Sequence, residues 1–336
     1  ITYPVNNSLI NEFAQNISGT AFDVMGIAYV KIMIEDLNGT CLQPPYWNGS
    51  GWQMAPCWLT CSGENPWEYL GTLSINLSGR SGHTFKVTAV AMDKAGCSAK
   101  DEVIFIYDNQ APTAGIDSID PFVNTAPDIS GYSHDDYALD YVEVSLNFSN
   151  STGTFYWNFT SRSWQSSEYW ERIDQQGKDG TWDLSSGPSD NDYQNGTRYY
   201  VSARAVDLAG HIGSTTTTSF VFDAINPSVD ILNPSNGSTY SELTEINGTA
   251  DDTESYITNV YIRIKDNATS KYWNGSGWVQ SEVDLPCNYD PTSNLWNYTN
   301  LPSWQSGNYT IYAFAIDAAG NMDSKWIWFR WEESSG

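Results

Sequence analysis

Asp93-Lys94-Ala95-Gly96, Asp207-Leu208-Ala209-Gly210 and Asp317-Ala318-Ala319-Gly320 are one phrase written three times, at steps of 114 (93 to 207) and 110 (207 to 317). Each follows a stretch of period two. Phe85, Val87, Ala89 and Ala91 alternate with polar Lys86 and Thr88; Tyr199, Val201, Ala203, Ala205 and Tyr309, Ile311, Ala313, Ala315 repeat the pattern. An apolar period of two describes a strand with one buried face, and Asp-x-Ala-Gly is turn chemistry. Other markers keep the same step. Ile17-Ser18-Gly19, Ile129-Ser130-Gly131 and Ile246-Asn247-Gly248 align, as do Pro4, Pro121 and Pro234. So do Tyr46-Trp47-Asn48, Tyr156-Trp157-Asn158 and Tyr272-Trp273-Asn274. Another strand puts Val30, Ile32, Ile34 on one face, matched by Val142, Val144, Leu146 and Val260, Ile262, Ile264. No stretch has helical period. The chain is expected to be all-β: three tandem antiparallel β-sandwiches over 1–110, 111–225 and 226–336.

Composition narrows the function. The 336 residues carry 40 acidic and 15 basic side chains, a net charge of −25, which would repel a phosphate backbone and so excludes nucleic acid as a partner. Apolar residues at 40% and aromatic ones at 14% exceed what a disordered acidic tail carries. No apolar run approaches the ~20 residues needed to span a bilayer, so no membrane insertion is expected. The start, Ile1-Thr2-Tyr3-Pro4, lacks a leader's basic and apolar regions; any leader is expected to have been removed, or the chain to be a piece of a longer array. His83, His134 and His211 sit at non-equivalent places in the three copies, and no nucleophile elbow, P-loop or dinucleotide glycine pattern occurs. No enzyme and no organic cofactor is expected.

The strand–Asp-x-Ala-Gly–strand unit, the Ile-x-Gly strand and the junctions Asp108-Asn109-Gln110-Ala111-Pro112 and Asp223-Ala224-Ile225-Asn226-Pro227 resemble the Ig-like repeats of large bacterial and archaeal cell-surface proteins. That resemblance implies three Ig-like domains in an extracellular stalk, adhesin, surface layer or filament. Junctions this short favour a stiff rod. At ~3.3 Å per strand residue each copy is roughly 35 Å long, and three span on the order of 100 Å.

Asn-x-Ser/Thr sequons stand at Asn6, Asn16, Asn38, Asn48, Asn76, Asn147, Asn150, Asn158, Asn195, Asn236, Asn247, Asn267, Asn274, Asn297 and Asn308, where chance would give about five. Covalent N-glycans are therefore the expected surface partners. The paired tryptophans of the Tyr-Trp-Asn hairpins, Trp47 and Trp273 among them, have two readings: a sugar-stacking surface, or a cross-strand pair that holds the hairpin. The hairpin register set by Trp47 and Trp52, extended outward, brings Cys41 near Cys57 and leaves Cys61 for Cys97; Cys287 is expected unpaired within the chain. Asp135-Asp136 and Asp251-Asp252, with junction residues Asp108 and Asp223, are candidate oxygen ligands for Ca²⁺ or simply solvated acidic loops. The repeated Asp93, Asp207 and Asp317 read as turn residues.

The two ends differ from the middle. Copies two and three open with Ala111–Ile116 and Asn226–Asp230, segments the first copy lacks; aligning Pro4 on Pro234 puts Ile1 on Ile231, half a strand short. An open sheet edge around Ile1 and Tyr3 invites strand addition. Trp326-Ile327-Trp328-Phe329-Arg330-Trp331 is apolar on both alternating faces, which marks Trp326, Trp328 and Trp331 as inter-subunit contacts. The function expected is a glycosylated building block joined to copies of itself. The alternative is an adhesin or carbohydrate-binding array using exposed Trp and Tyr.

Overall fold

The computed structural model describes every residue except 185 and 334–336. The described residues form strands and two single-turn 3₁₀ helices, Thr72–Ser74 and Asp190–Asp192. Each copy of the repeat builds the same large sheet, seven strands in all. In the first copy its main path runs Ser8–Ile10, Ser98–Tyr107, His83–Asp93, Ile27–Asp36, Tyr46–Trp47, Trp52–Gln53. In the second the three long central strands are Thr216–Phe222, Thr197–Asp207 and Leu139–Asn150, and in the third Met322–Trp331, Gly307–Asp317 and Ile257–Asp266. Parity follows the sequence: Val30, Ile32, Ile34, Phe85 and Val87 are buried, while Lys31 and Lys86 lie between them half-exposed. The central strand carries a register shift at the same place each time, between Ile27 and Tyr29, Leu139 and Tyr141, Ile257 and Asn259.

A second, small sheet closes each sandwich. Its strands are Thr113–Ile116, Ser130–His134 and Asp179–Asp183 in the second copy, and Ser228–Asn233, Ile246–Asp251, Leu295–Tyr298 and Asn288–Asp290 in the third. In the first copy it contains only Ile17–Gly19, Trp67–Tyr69 and Ser62–Gly63. The glycine of each Ile-x-Gly faces a buried tryptophan across the ladder: Gly19 with Trp67, Gly131 with Trp182, Gly248 with Trp296. The indole lies where a Cβ would be, which explains why glycine recurs there. Three separate hydrophobic cores result, one per copy.

One short strand in each copy pairs parallel to the last strand, in contrast to the antiparallel rest. Ser8–Ile10 runs beside Phe105–Tyr107, Phe122–Val123 beside Val221–Phe222, and Thr239–Tyr240 beside Arg330–Trp331. The final bond of the first two ladders comes from a junction aspartate: Asp108 N–H donates to the Ile10 carbonyl, and Asp223 N–H to that of Val123.

Candidate functional site

The junction aspartates end the last strand of one repeat and are turned into the first loops of the next. Asp108, wholly buried, accepts from Ser81 Oγ (2.9 Å) and Gln110 N through Oδ1. Asp135, also buried, follows the strand Ser130–His134, and its Oδ1 accepts from Tyr137 N (2.8 Å) and Ala138 N (2.7 Å). Asp207 uses Oδ1 for His211 N (2.8 Å) and Oδ2 for His211 Nδ1 (2.9 Å). Ligand atoms of Asp108, Asp135 and Asp136 lie within 4.8 Å of one another, and so do those of Asp108, Asp207 and His211. The first repeat's Ser81–Gly82 loop approaches the carbonyl of Asp136, and Gly82 has φ +73°, a turn that glycine takes without strain. Burial, then repulsion from Asp135 and Asp207, holds the Asp108 carboxyl above the usual carboxylate range; burial does the same for Asp135.

At the second junction Asp223, Asp252 and Glu254 converge. Burial again raises Asp223, with Asp252 and Asp317 adding repulsion. Asp252 Oδ2 is taken up by Glu254 N, Ser255 N and Ser255 Oγ. Asn321 fills the place of His211 and donates through Nδ2 to the Asp223 carbonyl (2.8 Å) and to Asp317 Oδ2 (2.9 Å).

Buried Ser133 and Ala250 are equivalent, so Asp252 matches Asp135 and Asp251 matches His134 on the exposed face, where Asn294 Nδ2 holds it. Asp207 and Glu254 belong to these clusters and were missed. The two repeated aspartates do serve as turn acceptors, and the second oxygen of each is bonded as well, Asp207 Oδ2 to His211 Nδ1 and Asp317 Oδ2 to Asn321 Nδ2. Their recurrence directly opposite the junctions was the available signal.

None of the fifteen sequon asparagines is buried. Several are anchored through the carbonyl oxygen: Asn6 accepts from Ile104 N, Asn38 from Thr84 N, Asn195 from Ala224 N and Asn236 from Trp328 N. A glycan bonds Nδ2 and leaves that oxygen in place. Asn48, Asn158 and Asn274 shape the hairpin tips by accepting backbone N–H groups two and three residues on. Those hairpins pair Trp47 with Trp52, Trp157 with Trp164 and Trp273 with Trp278. The first of each pair is core, at 2%, 1% and 9% exposure, so Trp47 and Trp273 are hairpin holders and offer no sugar-stacking face.

All five cysteines are free thiols. The Trp47–Trp52 ladder stops at Tyr46 and Gln53, because Pro44, Pro45 and Pro56 cannot extend it, so Cys41 does not meet Cys57. Cys61 packs on the first core, while Cys97 is exposed in the turn after Gly96; that bridge is absent as well. Burial pushes the Cys61 and Cys287 thiols up to about 12.

At the start of the chain, Thr2 and Tyr3 bond only Ser18 along the edge strand Ile17–Gly19. Beside them lies a groove of about 380 Å³ lined by Ile27, Val30, Trp67, Ala89, Ala91 and highly exposed Phe22. At the other end Trp326 (61% exposed) and Trp328 (40%) face outward, while Ile327 and Phe329 are buried. Trp331 shares the inward parity and stacks on Trp304 at 5.8 Å, so it does not join the outer contact face.

Residues 227–313 match the family model described as a bacterial Ig domain, which places the third repeat in the kind of domain that the Asp-x-Ala-Gly phrase resembles. Among solved structures, the tetra-tandem repeat in the extending region of a large adhesion protein is 17% identical, with a TM-score of 0.32 over 98% of this chain and 75% of that one. A structure from a 1.5-MDa bacterial ice-binding adhesin is 15% identical, TM-score 0.32, over 94% and 90%. The fibronectin(III)-like modules of Clostridium thermocellum CbhA are 14% identical, TM-score 0.31, over 66% and 95%. Similarity this low carries no argument about function. No curated protein matches the chain.

Proposed function

We propose that the chain is a non-enzymatic, N-glycosylated structural segment of an extracellular surface protein, its three Ig-like repeats forming a stiff spacer in a filament, layer or stalk. The observation that carries this reading is the set of fifteen sequon asparagines, spread over all three repeats and nowhere buried. A polar coat on short, turn-linked sandwiches suits a surface that meets water along its whole length. Intact mass of the native protein before and after deglycosylation tests it. A mass above 37.4 kDa that falls on deglycosylation is expected, and a native mass equal to the bare polypeptide overturns the glycoprotein reading.

End-to-end assembly is the second part of the proposal. The groove beside Ile17–Gly19 occupies the position that Thr113–Ile116 and Ser228–Asn233 fill in the other repeats. A strand of the same alternating character, added from a neighbouring subunit, would complete the first sandwich. Trp326 and Trp328 offer apolar surface for the opposite contact. Electron microscopy of native material should show filaments or layers. Monodisperse short rods at high concentration would overturn the assembly.

A further inference from the structure

The three repeats differ in what covers the second tryptophan of the hairpin. Asp36, Phe148 and Asp266 are one position, each paired with the first core aromatic of the neighbouring strand, Phe85, Tyr199 or Tyr309. In the first repeat Asp36 is buried and bonded by Arg80, whose guanidinium lies 4.1 Å over the Trp52 ring. In the second, Phe148 itself meets Trp164, ring centroids 4.8 Å apart, and Phe155 stacks on Phe148. The third repeat has neither filling. Trp304, in the place of Arg80, packs instead on Tyr309, Phe329 and Trp331. Lys271 takes the place of Phe155, opposite Asp266. A cavity of about 410 Å³ is left beside half-buried Trp278, bordered by Asp266, Lys271, Ser276, Ser303 and Gln305. The indole bond to the adjoining loop changes hands as well. Trp52 and Trp164 donate from Nε1 to the carbonyls of Asn76 (2.6 Å) and Asp192 (2.8 Å). In the third repeat Trp273 makes that kind of bond, to the Asn300 carbonyl (2.9 Å), and Trp278 Nε1 has no acceptor among the described residues.

We infer that this cavity of the third repeat is a carbohydrate site, taking one pyranose ring with its C–H face on Trp278 and its hydroxyls on Asp266 and Lys271. The wall holds one carboxylate and one ammonium. A cation is repelled by Lys271 and an anion by Asp266, and a wholly apolar group would desolvate both without giving either a partner. A sugar hydroxyl donates to a carboxylate and accepts from an ammonium, while the ring's C–H groups suit an indole face. The platform is held from behind, because Trp278 stacks on buried Tyr309 at 5.8 Å. Asp266 is fixed in place by its own turn, accepting from Ala268 N (2.9 Å) and Thr269 Oγ1 (2.7 Å), and each carboxylate oxygen keeps a lone pair for a ligand. Exposed Ser303 and Gln305 stand at the rim. Arg80 and Phe148 occupy the same place in the other two repeats, so one site per chain follows. The sugar can belong to a glycan on Asn274, two residues before Ser276, or to another molecule; the chemistry of the cavity is the same for both. The inference does not rest on the chain being glycosylated.

The test is saturation-transfer NMR on the full native chain, before and after deglycosylation, with the methyl pyranosides of glucose, galactose, mannose and N-acetylglucosamine as probes. At least one should bind with a dissociation constant on the order of 1 mM, as suits a ligand of about a dozen heavy atoms at a half-open site. Its C–H protons on one ring face should receive most of the saturation. Binding in both samples assigns the cavity to sugars of another molecule, and binding only after deglycosylation assigns it to the chain's own glycan. A native mass equal to the bare polypeptide would remove the glycoprotein reading and leave this test intact. Trp278→Ala should abolish binding. Lys271→Ala, which keeps the packing of Trp278 on Tyr309 and so stays informative if Trp278→Ala fails to fold, should weaken it about fivefold or more. Trp326→Ala removes a more exposed indole and should leave binding unchanged. No binding of any probe to either sample, wild-type binding in Lys271→Ala, or loss of binding in Trp326→Ala would each overturn the assignment.

Discussion

Replacing Gly131 or Gly248 by alanine separates two kinds of crowding that share one motif. A Cβ at Gly131 would fall within 3.0 Å of both the Trp182 indole and the carbonyl oxygen of Gly115 on the neighbouring strand; at Gly248 it would meet Trp296 and the Asp230 carbonyl in the same way. A buried ring and a strand of the ladder must both give way. At Gly19 the three atoms nearest to such a Cβ all belong to Trp67, and Trp67 borders the open groove into which it can shift. Overpacking costs typically 1–3 kcal/mol. The two double clashes belong near the top of that range, at about 3 kcal/mol, and Gly19→Ala near the bottom, at about 1 kcal/mol. For a domain of this size 1 kcal/mol moves the melting midpoint by about 4–8 °C. Differential scanning calorimetry of the full chain, resolved into its repeat transitions, should therefore show one transition lowered by more than ~10 °C in Gly131→Ala or Gly248→Ala, and by about half that or less in Gly19→Ala. Equal losses at all three glycines would refute the role given to the adjoining strand. An unchanged melt in Gly248→Ala would refute the packing argument itself.

Thiol labelling at pH 8 should modify Cys41 and Cys97 quickly and leave Cys61 and Cys287 slow until the chain is unfolded, because burial raises the latter pair to about 12; mass spectrometry of the labelled peptides reads this directly. The Asp223 carboxyl is raised by burial, so its folded-state value lies above its unfolded one. The folded chain then takes up that proton first as pH falls, and this residue's contribution to stability rises between neutrality and the ordinary carboxylate range. Asp223→Asn should be more stable than wild type at neutral pH and lose its advantage across that window, followed by denaturant melts; a constant difference at every pH would contradict it.

Much of the fold was legible because strand parity and turns are local. The alternation from Phe85 to Ala91 and its two counterparts set which faces are buried, and the recurring Ile-x-Gly at Ile17, Ile129 and Ile246 marked a strand of the small sheet. The partners of the recurring glycines were not legible. Trp67 and Trp296 follow Gly19 and Gly248 at the same separation, but Trp182 follows Gly131 three residues later than that, and with 15 tryptophans in the chain the shared step does not stand out. The junction sites were half legible. Asp108, Asp135, Asp136 and Asp223 stand out as acidic, yet only the fold shows that Asp252, aligned with Asp135 through Gly131 and Gly248, turns toward Asp223 and Glu254 while Asp251 stays on the exposed face. The cysteine bridges failed on a detail present in the sequence: Pro44, Pro45 and Pro56 end the ladder on which they depended.

The short parallel ladders have a mechanical consequence. When a repeat is pulled by its two ends, Ser8–Ile10 and Phe105–Tyr107 are drawn in opposite directions along their common axis, as are Phe122–Val123 and Val221–Phe222. The load then falls on all the bonds of the ladder together, in shear, rather than opening them one after another as in a peeled hairpin. Asp108 and Asp223 supply the last bond of that clamp in their repeats, and the Asp223 carbonyl also accepts from Asn321 of the next repeat, so there the residue that carries tension out of one sandwich is also the one that fastens it to the next.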